Sequence, residues 1–195
     1  GGSARAFSVD ARDEASIQDL FKSVERDLGP VEVCLYNAGA NFRSPLTETS
    51  SELFEKVWRL GCMAGFLTGR EAARYMVPRA KGTILFTGAT ASVRGGANFA
   101  AFASAKAGLR AVAQSMAREL GPKGIHVAHL VVDGGVDSPA IHARRRAANG
   151  GKDIEFPPDS LMQLSSIAEA YWTLHAQSRD AWTFEMDIRP FVEPW

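Results

Sequence analysis

Cysteine is scarce in this sequence. Cys34 and Cys62 are the only two among 195 residues. Neither stands at metal-ligand spacing, and two thiols cannot build a disulfide framework, so both read as buried, reduced side chains of a cytoplasmic protein. An excess of either charge is also missing: Lys plus Arg and Asp plus Glu number 22 each, and the sequence pI is near 7.1. That balance gives no electrostatic case for nucleic acid or an anionic membrane. The one basic run, Arg144-Arg145-Arg146, reads as a solvated helix face. No apolar run approaches the roughly 20 residues of a membrane span. The opening Gly1-Gly2-Ser3-Ala4-Arg5 has neither Met nor a secretory apolar segment. Repeats, low-complexity tracts and interdomain linkers are absent too, which leaves one domain over residues 1–195. Tyrosine is rare, with only Tyr36, Tyr75 and Tyr171 present.

What is present is a strand–helix alternation. Residues 4–9 alternate weakly and read as a strand ending at Asp10. Asp13 is placed to cap a helix over 14–28, where Ile17, Leu20, Phe21, Val24 and Leu28 follow helical spacing; Gly29-Pro30 stops it. Residues 31–36 form a continuous apolar strand, the pattern of a sheet covered on both faces. Thr49-Ser50-Ser51-Glu52 fits a capping box. It opens a long helix to about Val77, in which Gly61 and Gly65 each cost about 1 kcal/mol relative to alanine. Residues 82–88 read as a buried strand, Ala89 to Gly96 as a small-residue loop, and Phe99 to Leu120 as an Ala-rich helix. Residues 125–132 and 182–188 supply two further strands. Ile167, Ala170, Tyr171 and Leu174 mark a last helix. The alternation predicts an α/β domain with a parallel sheet, its strands ordered 31–37, 82–88, 125–132, 182–188, joined by right-handed crossovers.

Ligands of open α/β sheets bind at the carboxyl edge of the strands. Asn37-Ala38-Gly39 follows a strand at that edge, and about 65 residues later Phe102 and Lys106 share one face of a helix. With Ala89 thirteen residues before Phe102, this frame resembles the short-chain dehydrogenase/reductase family, whose members carry Asn-Ala-Gly, then a serine, then Tyr-x-x-x-Lys. The resemblance covers almost the whole chain from the family's third strand onward. It implies a Rossmann-like, doubly wound parallel sheet and an NAD- or NADP-dependent oxidoreductase acting on a small carbonyl or alcohol.

The resemblance also implies roles, residue by residue. Lys106 occupies the lysine position, which binds the nicotinamide ribose and lowers the tyrosine pKa from its usual value of about 10. Phe102 stands in the tyrosine slot, Ala89 in the serine slot and Gly61 in the slot of an asparagine that holds a water. Three catalytic side chains are therefore replaced, and none of the three tyrosines has the spacing to substitute. The longer tyrosine-to-lysine spacing of enoyl reductases falls on Phe99. Thr90, adjacent to the serine slot, is the best stand-in hydroxyl, ahead of Thr87, Ser92 and Ser104. His126 and His129 lie on a buried strand and read as core histidines. Asn37, Ala38 and Gly39 would lie against the cofactor. Asp10 either matches an acidic residue that contacts adenine or is an ordinary strand-end residue. Gly134 and Ser138 loosely match a Gly and a Thr near the nicotinamide, with Asp133 in place of the usual proline. No metal site is expected.

The family's Thr-Gly-x-x-x-Gly-x-Gly phosphate loop has no counterpart in these 195 residues. Its absence predicts weak dinucleotide binding, an exposed edge at the 31–36 strand, and residues 4–9 standing apart where two strands are lacking, as in an N-terminally truncated member. The family further implies a homodimer or homotetramer through helices 52–77 and 99–120, with Ala100, Ala103, Ala107 and Ala111 permitting close contact. An alternative to the enzyme reading is a catalytically inactive homologue that acts as a binding or dimerising subunit.

Overall fold

The computed structural model describes residues 2–193. Its centre is a four-stranded parallel sheet in which β1 (Val33–Tyr36), β2 (Gly82–Thr87), β3 (Ile125–Val132) and β4 (Glu185–Ile188) lie side by side in chain order. The registers run Val33 to Thr83, Gly82 to Ile125 and His129 to Glu185. Parallel neighbours need crossovers, and helices supply them: α1 (Glu14–Asp27), α2 (Ser51–Trp58), α3 (Ala64–Met76), α4 (Ala100–Leu120), α5 (Pro139–Ala148) and α6 (Leu164–His175). The strand order is the one the sequence predicts.

Alternation along the strands divides the core. Cys34, Tyr36, Ile84, Phe86 and Val127 face a cluster with Ile17 and Phe21 of α1, Ala72 and Met76 of α3, and Leu109 and Ala113 of α4. Leu85, Ala128 and Leu130 face the other way, against Leu174, Ile167 and Ala170 of α6. Helix α6 does not cover β1. Val33 and Leu35 consequently remain 39% and 40% exposed on that face, and β1 is an unpaired edge. Both cysteines are buried and free; burial pushes the Cys34 thiol up to about 12.

Several expectations need correction. Residues 4–9 form no strand, because none of the four strands pairs with them; Val9 instead packs on the α1 side of the core. The helix expected over 52–77 is not continuous. It is interrupted by a π-helical turn at Arg59–Met63 between α2 and α3. The α2 cap is Ser50, whose hydroxyl accepts from Leu53 N at 3.1 Å, while Thr49 Oγ1 bonds back to Pro45 O. Asp13 caps α1 as expected, accepting from Ser16 N. Among the described residues no helix is long and apolar enough to cross a membrane.

Candidate functional site

Strands β1, β2 and β3 end on the same side of the sheet, and their following loops enclose a cavity of about 540 Å³. Asn37 and Gly39 enter from the β1 loop, Ala89 and Thr90 from the β2 loop, Gly134 from the β3 loop, and Phe102 and Lys106 from α4. Most of the residues singled out by spacing are therefore brought together. Ala38 packs into the core beside them. Ser138 immediately precedes α5 and makes no side-chain cap bond. Neither Ser138 nor Asp10 lines the cavity. Asp10 is paired with Arg12 at 2.7 Å, and that hydrogen bond holds its carboxyl down to about 2.

Lys106 is the polar anchor. It is 5% exposed, and its Nζ donates to Thr87 O at 2.7 Å. Burial lowers its pKa to about 8. A Cβ added at Gly39 would stand 3.5 Å from Nζ, an ordinary contact distance, so the β1 loop lies against the lysine head. One turn earlier, Phe102 packs against the Val57, Cys62 and Ala105 cluster and tilts onto Phe99 at 6.4 Å between ring centres. It presents no exchangeable proton. Ala89 presents only a methyl group, and its N–H donates to the buried Ser92 hydroxyl at 3.1 Å.

Gly61 does not reach the cavity. It is buried against α4, where an added Cβ would meet Ala105 Cβ at 2.7 Å. The slot is thus closed by packing as well as lacking an amide. Ser104 bonds to Ala101 O within its own helix. The two hydroxyls that do line the cavity are both committed. Thr87 Oγ1 pairs with Tyr171 OH at 2.6 Å, and Thr90 Oγ1 donates to Asp133 Oδ1. Asp133 is 1% exposed and is held by Arg189 at 3.1 Å, with Arg94 at 3.7 Å.

The histidines belong to the core. His126 bonds to Thr183 O at 2.9 Å and stacks on Trp182. His129 Nδ1 lies 3.0 Å from Glu185, and burial lowers its pKa to about 4. A Cβ at Gly88 would strike the His129 ring, which explains a glycine at the mouth of β2. Sequence reading missed the Thr90–Asp133–Arg189 network and the cavity-lining Arg94. The one available signal was a charged side chain inside the small-residue loop after β2. Among the described residues no cluster of His, Cys, Asp and Glu could hold a metal ion.

Residues 1–149 match the family model for short chain dehydrogenase. The 3-oxoacyl-[acyl-carrier-protein] reductase MabA of Mycobacterium avium is 33% identical over 149 residues, covering 76% of this chain and 58% of that protein. Gluconate 5-dehydrogenase of Gluconobacter oxydans is 28% identical over 127 residues, 65% of this chain and 50% of that one. The chain thus spans little more than half the length of these curated relatives. A solved short-chain dehydrogenase from Rhodopseudomonas palustris is 47% identical, with a TM-score of 0.78 over 96% of this chain and 74% of its own. An actinorhodin polyketide ketoreductase solved with NADPH has a TM-score of 0.84 at 20% identity, a likeness of fold alone.

Proposed function

The chain belongs to the short-chain dehydrogenase family, and from that premise we propose that it forms the nicotinamide and substrate half of an NAD- or NADP-dependent oxidoreductase site for a small carbonyl or alcohol. The observation that carries this reading is the placement of Lys106. An ammonium has three donors. One is spent on Thr87 O, and the others remain for a ligand in the cavity that Lys106 shares with Asn37 and Gly39. Such donors suit ribose hydroxyls, and Gly39 lies against the same lysine head. A nicotinamide supplies or accepts the hydride when bound. The chain's own residues hold the ribose through Lys106 and Asn37 and exclude water with Phe102 and Ala89.

Proton exchange is the weak link. General acid–base catalysis contributes about 10²–10⁴-fold, and no side chain at position 102 can provide it. Turnover of ordinary ketones should therefore be slow. A second reading, an inactive homologue serving as a binding or dimerising subunit, is favoured by one specific observation: both hydroxyls that line the cavity are already bonded, Thr87 to Tyr171 and Thr90 to Asp133.

Reduced nicotinamide mononucleotide tests the first reading, because it needs no pyrophosphate loop. Its fluorescence should change on adding the chain, and Lys106→Met should abolish the change. No response from the unsubstituted chain at millimolar ligand would sink the proposal. Rapid ketone reduction that Thr90→Val abolishes would instead remove the inactive reading and make Thr90 the proton carrier.

A further inference from the structure

The cavity has a charge asymmetry that the cofactor lysine alone does not account for. Two cationic side chains line it, Lys106 and Arg94, and no Asp or Glu does. The carboxylate nearest to Arg94, Asp133, sits almost fully buried and is already satisfied by Arg189 at 3.1 Å and by the Thr90 hydroxyl. Arg94 approaches it only at 3.7 Å, outside normal hydrogen-bond length. Among the described residues the Arg94 side chain donates no hydrogen bond, and it is 47% exposed. Its backbone is fixed all the same: the Arg94 N–H donates to Thr90 O at 3.0 Å, within the turn that follows β2. A guanidinium at the wall of a largely apolar cavity, tied among the described residues only by that long ion pair to Asp133, still has its donor fork to offer, and the fork matches the geometry of a carboxylate.

We propose that the substrate of this site carries a carboxylate, and that Arg94 binds it. This inference rests on the oxidoreductase reading only for the word substrate; the anion site itself needs no cofactor. Thr90 sharpens it. Because the hydroxyl proton points to Asp133, Thr90 offers the cavity lone pairs alone and accepts from the ligand. The structure therefore favours a compound that carries, across a short apolar stem from its carboxylate, a hydroxyl that donates to Thr90, against walls such as Ala89, Phe102 and Val136; the corresponding oxo compound keeps only the Arg94 pair. Arg94 sets specificity here and exchanges no proton.

The test is calorimetric titration of the chain, without cofactor, with levulinate and lactate and with their neutral amides, levulinamide and lactamide. The carboxylates should bind, and the amides should bind about tenfold or more weakly, as expected where a charge-assisted pair is replaced by neutral hydrogen bonds. Arg94→Gln should bring levulinate down to the level of levulinamide, and Arg94→Lys should recover part of the difference. Added salt should weaken levulinate and leave levulinamide unchanged. Equal binding of acid and amide by the unsubstituted chain would overturn the proposal, whether or not the Arg94 variants fold. So would levulinate binding that Arg94→Gln leaves intact, or displacement of levulinate by inorganic phosphate at far lower concentration. Levulinate binding that depends on Arg94 but without hydride transfer would support this inference and defeat the oxidoreductase reading. Hydride transfer to neutral ketones alone would do the reverse.

Discussion

Lys106 is buried with one backbone carbonyl for company, and its ionisation should be visible in the stability of the fold. Its pKa falls from an ordinary 10.5 to about 8 because burial disfavours the charged form. Below pH 8 the lysine is charged in folded and unfolded chains alike, and the folded state bears the whole desolvation cost. Between pH 8 and 10.5 the unfolded chain binds the extra proton, so stability contributed by this group rises with pH across that window. The full swing is on the order of 3 kcal/mol. Urea denaturation of the unsubstituted chain and of Lys106→Met, compared at pH 7 and pH 10, should show the difference between the two proteins shifting toward the unsubstituted chain at the higher pH. A difference that does not change with pH would refute the burial account. The two missing hydroxyls make a second prediction at this scale. Phe102→Tyr with Ala89→Ser should raise carbonyl reduction with reduced nicotinamide mononucleotide more than the two single changes combined, since both would act on one oxygen. A double-mutant cycle measures the excess, and simple additivity would show that the hydroxyls do not act as a unit. Positions 89, 102 and 106 were legible in the sequence because a strand, a loop and a helix face fix their spacing locally. The Thr90–Asp133–Arg189 network was not, because three separate stretches supply it and only the assembled sheet edge joins them.

Among the elements, the break between α2 and α3 explains glycines that the sequence showed only as a cost. Gly61, Gly65 and Gly69 recur every four residues and so share one helical face. A Cβ at Gly61 would meet Ala105 at 2.7 Å; one at Gly65 would strike Leu109 and stand 3.2 Å from the Tyr36 ring; one at Gly69 would meet Phe86 at 2.7 Å. The stripe therefore brings this segment against α4 and the sheet at backbone distance. On the opposite side of the same contact, Gly108 leaves room for Cys62, whose Sγ would lie 2.9 Å from an added Cβ. The π-turn at Arg59–Met63 widens the helix by one residue at the same place. Tyr36 OH donates to Leu60 O inside that turn, satisfying a carbonyl whose regular helical partner is displaced. Intrinsic propensity alone would make Gly65→Ala stabilising by about 1 kcal/mol. Overpacking should reverse the sign and cost about 1–3 kcal/mol, read as a lowered urea midpoint with unchanged slope. A raised midpoint would show that Leu109 and Tyr36 yield freely. Gly61→Asn, an amide at the position that the resemblance matches to the family's asparagine, should fail for the same reason unless Ala105 is reduced to glycine with it.

For the molecule as a whole, the parallel sheet and its strand order were readable from alternation and turn residues, because β1, β2 and β3 are each bracketed by Gly or Pro and β4 is closed by Pro190. That residues 4–9 stand apart from the sheet followed from the missing phosphate-loop segment; that they form no strand at all was not readable, since a strand exists only where a neighbour accepts its hydrogen bonds, and no local pattern reports on a neighbour. The same arrangement bears on dinucleotide binding. A pyrophosphate is held where a glycine turn leads straight from a strand into a helix N-terminus. In this chain β1 is followed by a long loop before α2 opens at Ser51, and β2 by residues 88–99 before α4 opens at Ala100. Neither loop runs straight from strand into helix, and Asp10, the candidate adenine contact, lies outside the cavity with its carboxylate spent on Arg12. The pyrophosphate and adenosine of NADH or NADPH should therefore add little to the ribose contact proposed for Lys106. Parallel calorimetric titrations should give nearly equal affinities for NADH, NADPH and reduced nicotinamide mononucleotide, all of them weak. Micromolar binding of either dinucleotide, worth about 8 kcal/mol and lost with the mononucleotide, would reveal a phosphate site elsewhere in these residues and would end the argument from strand-to-helix turns.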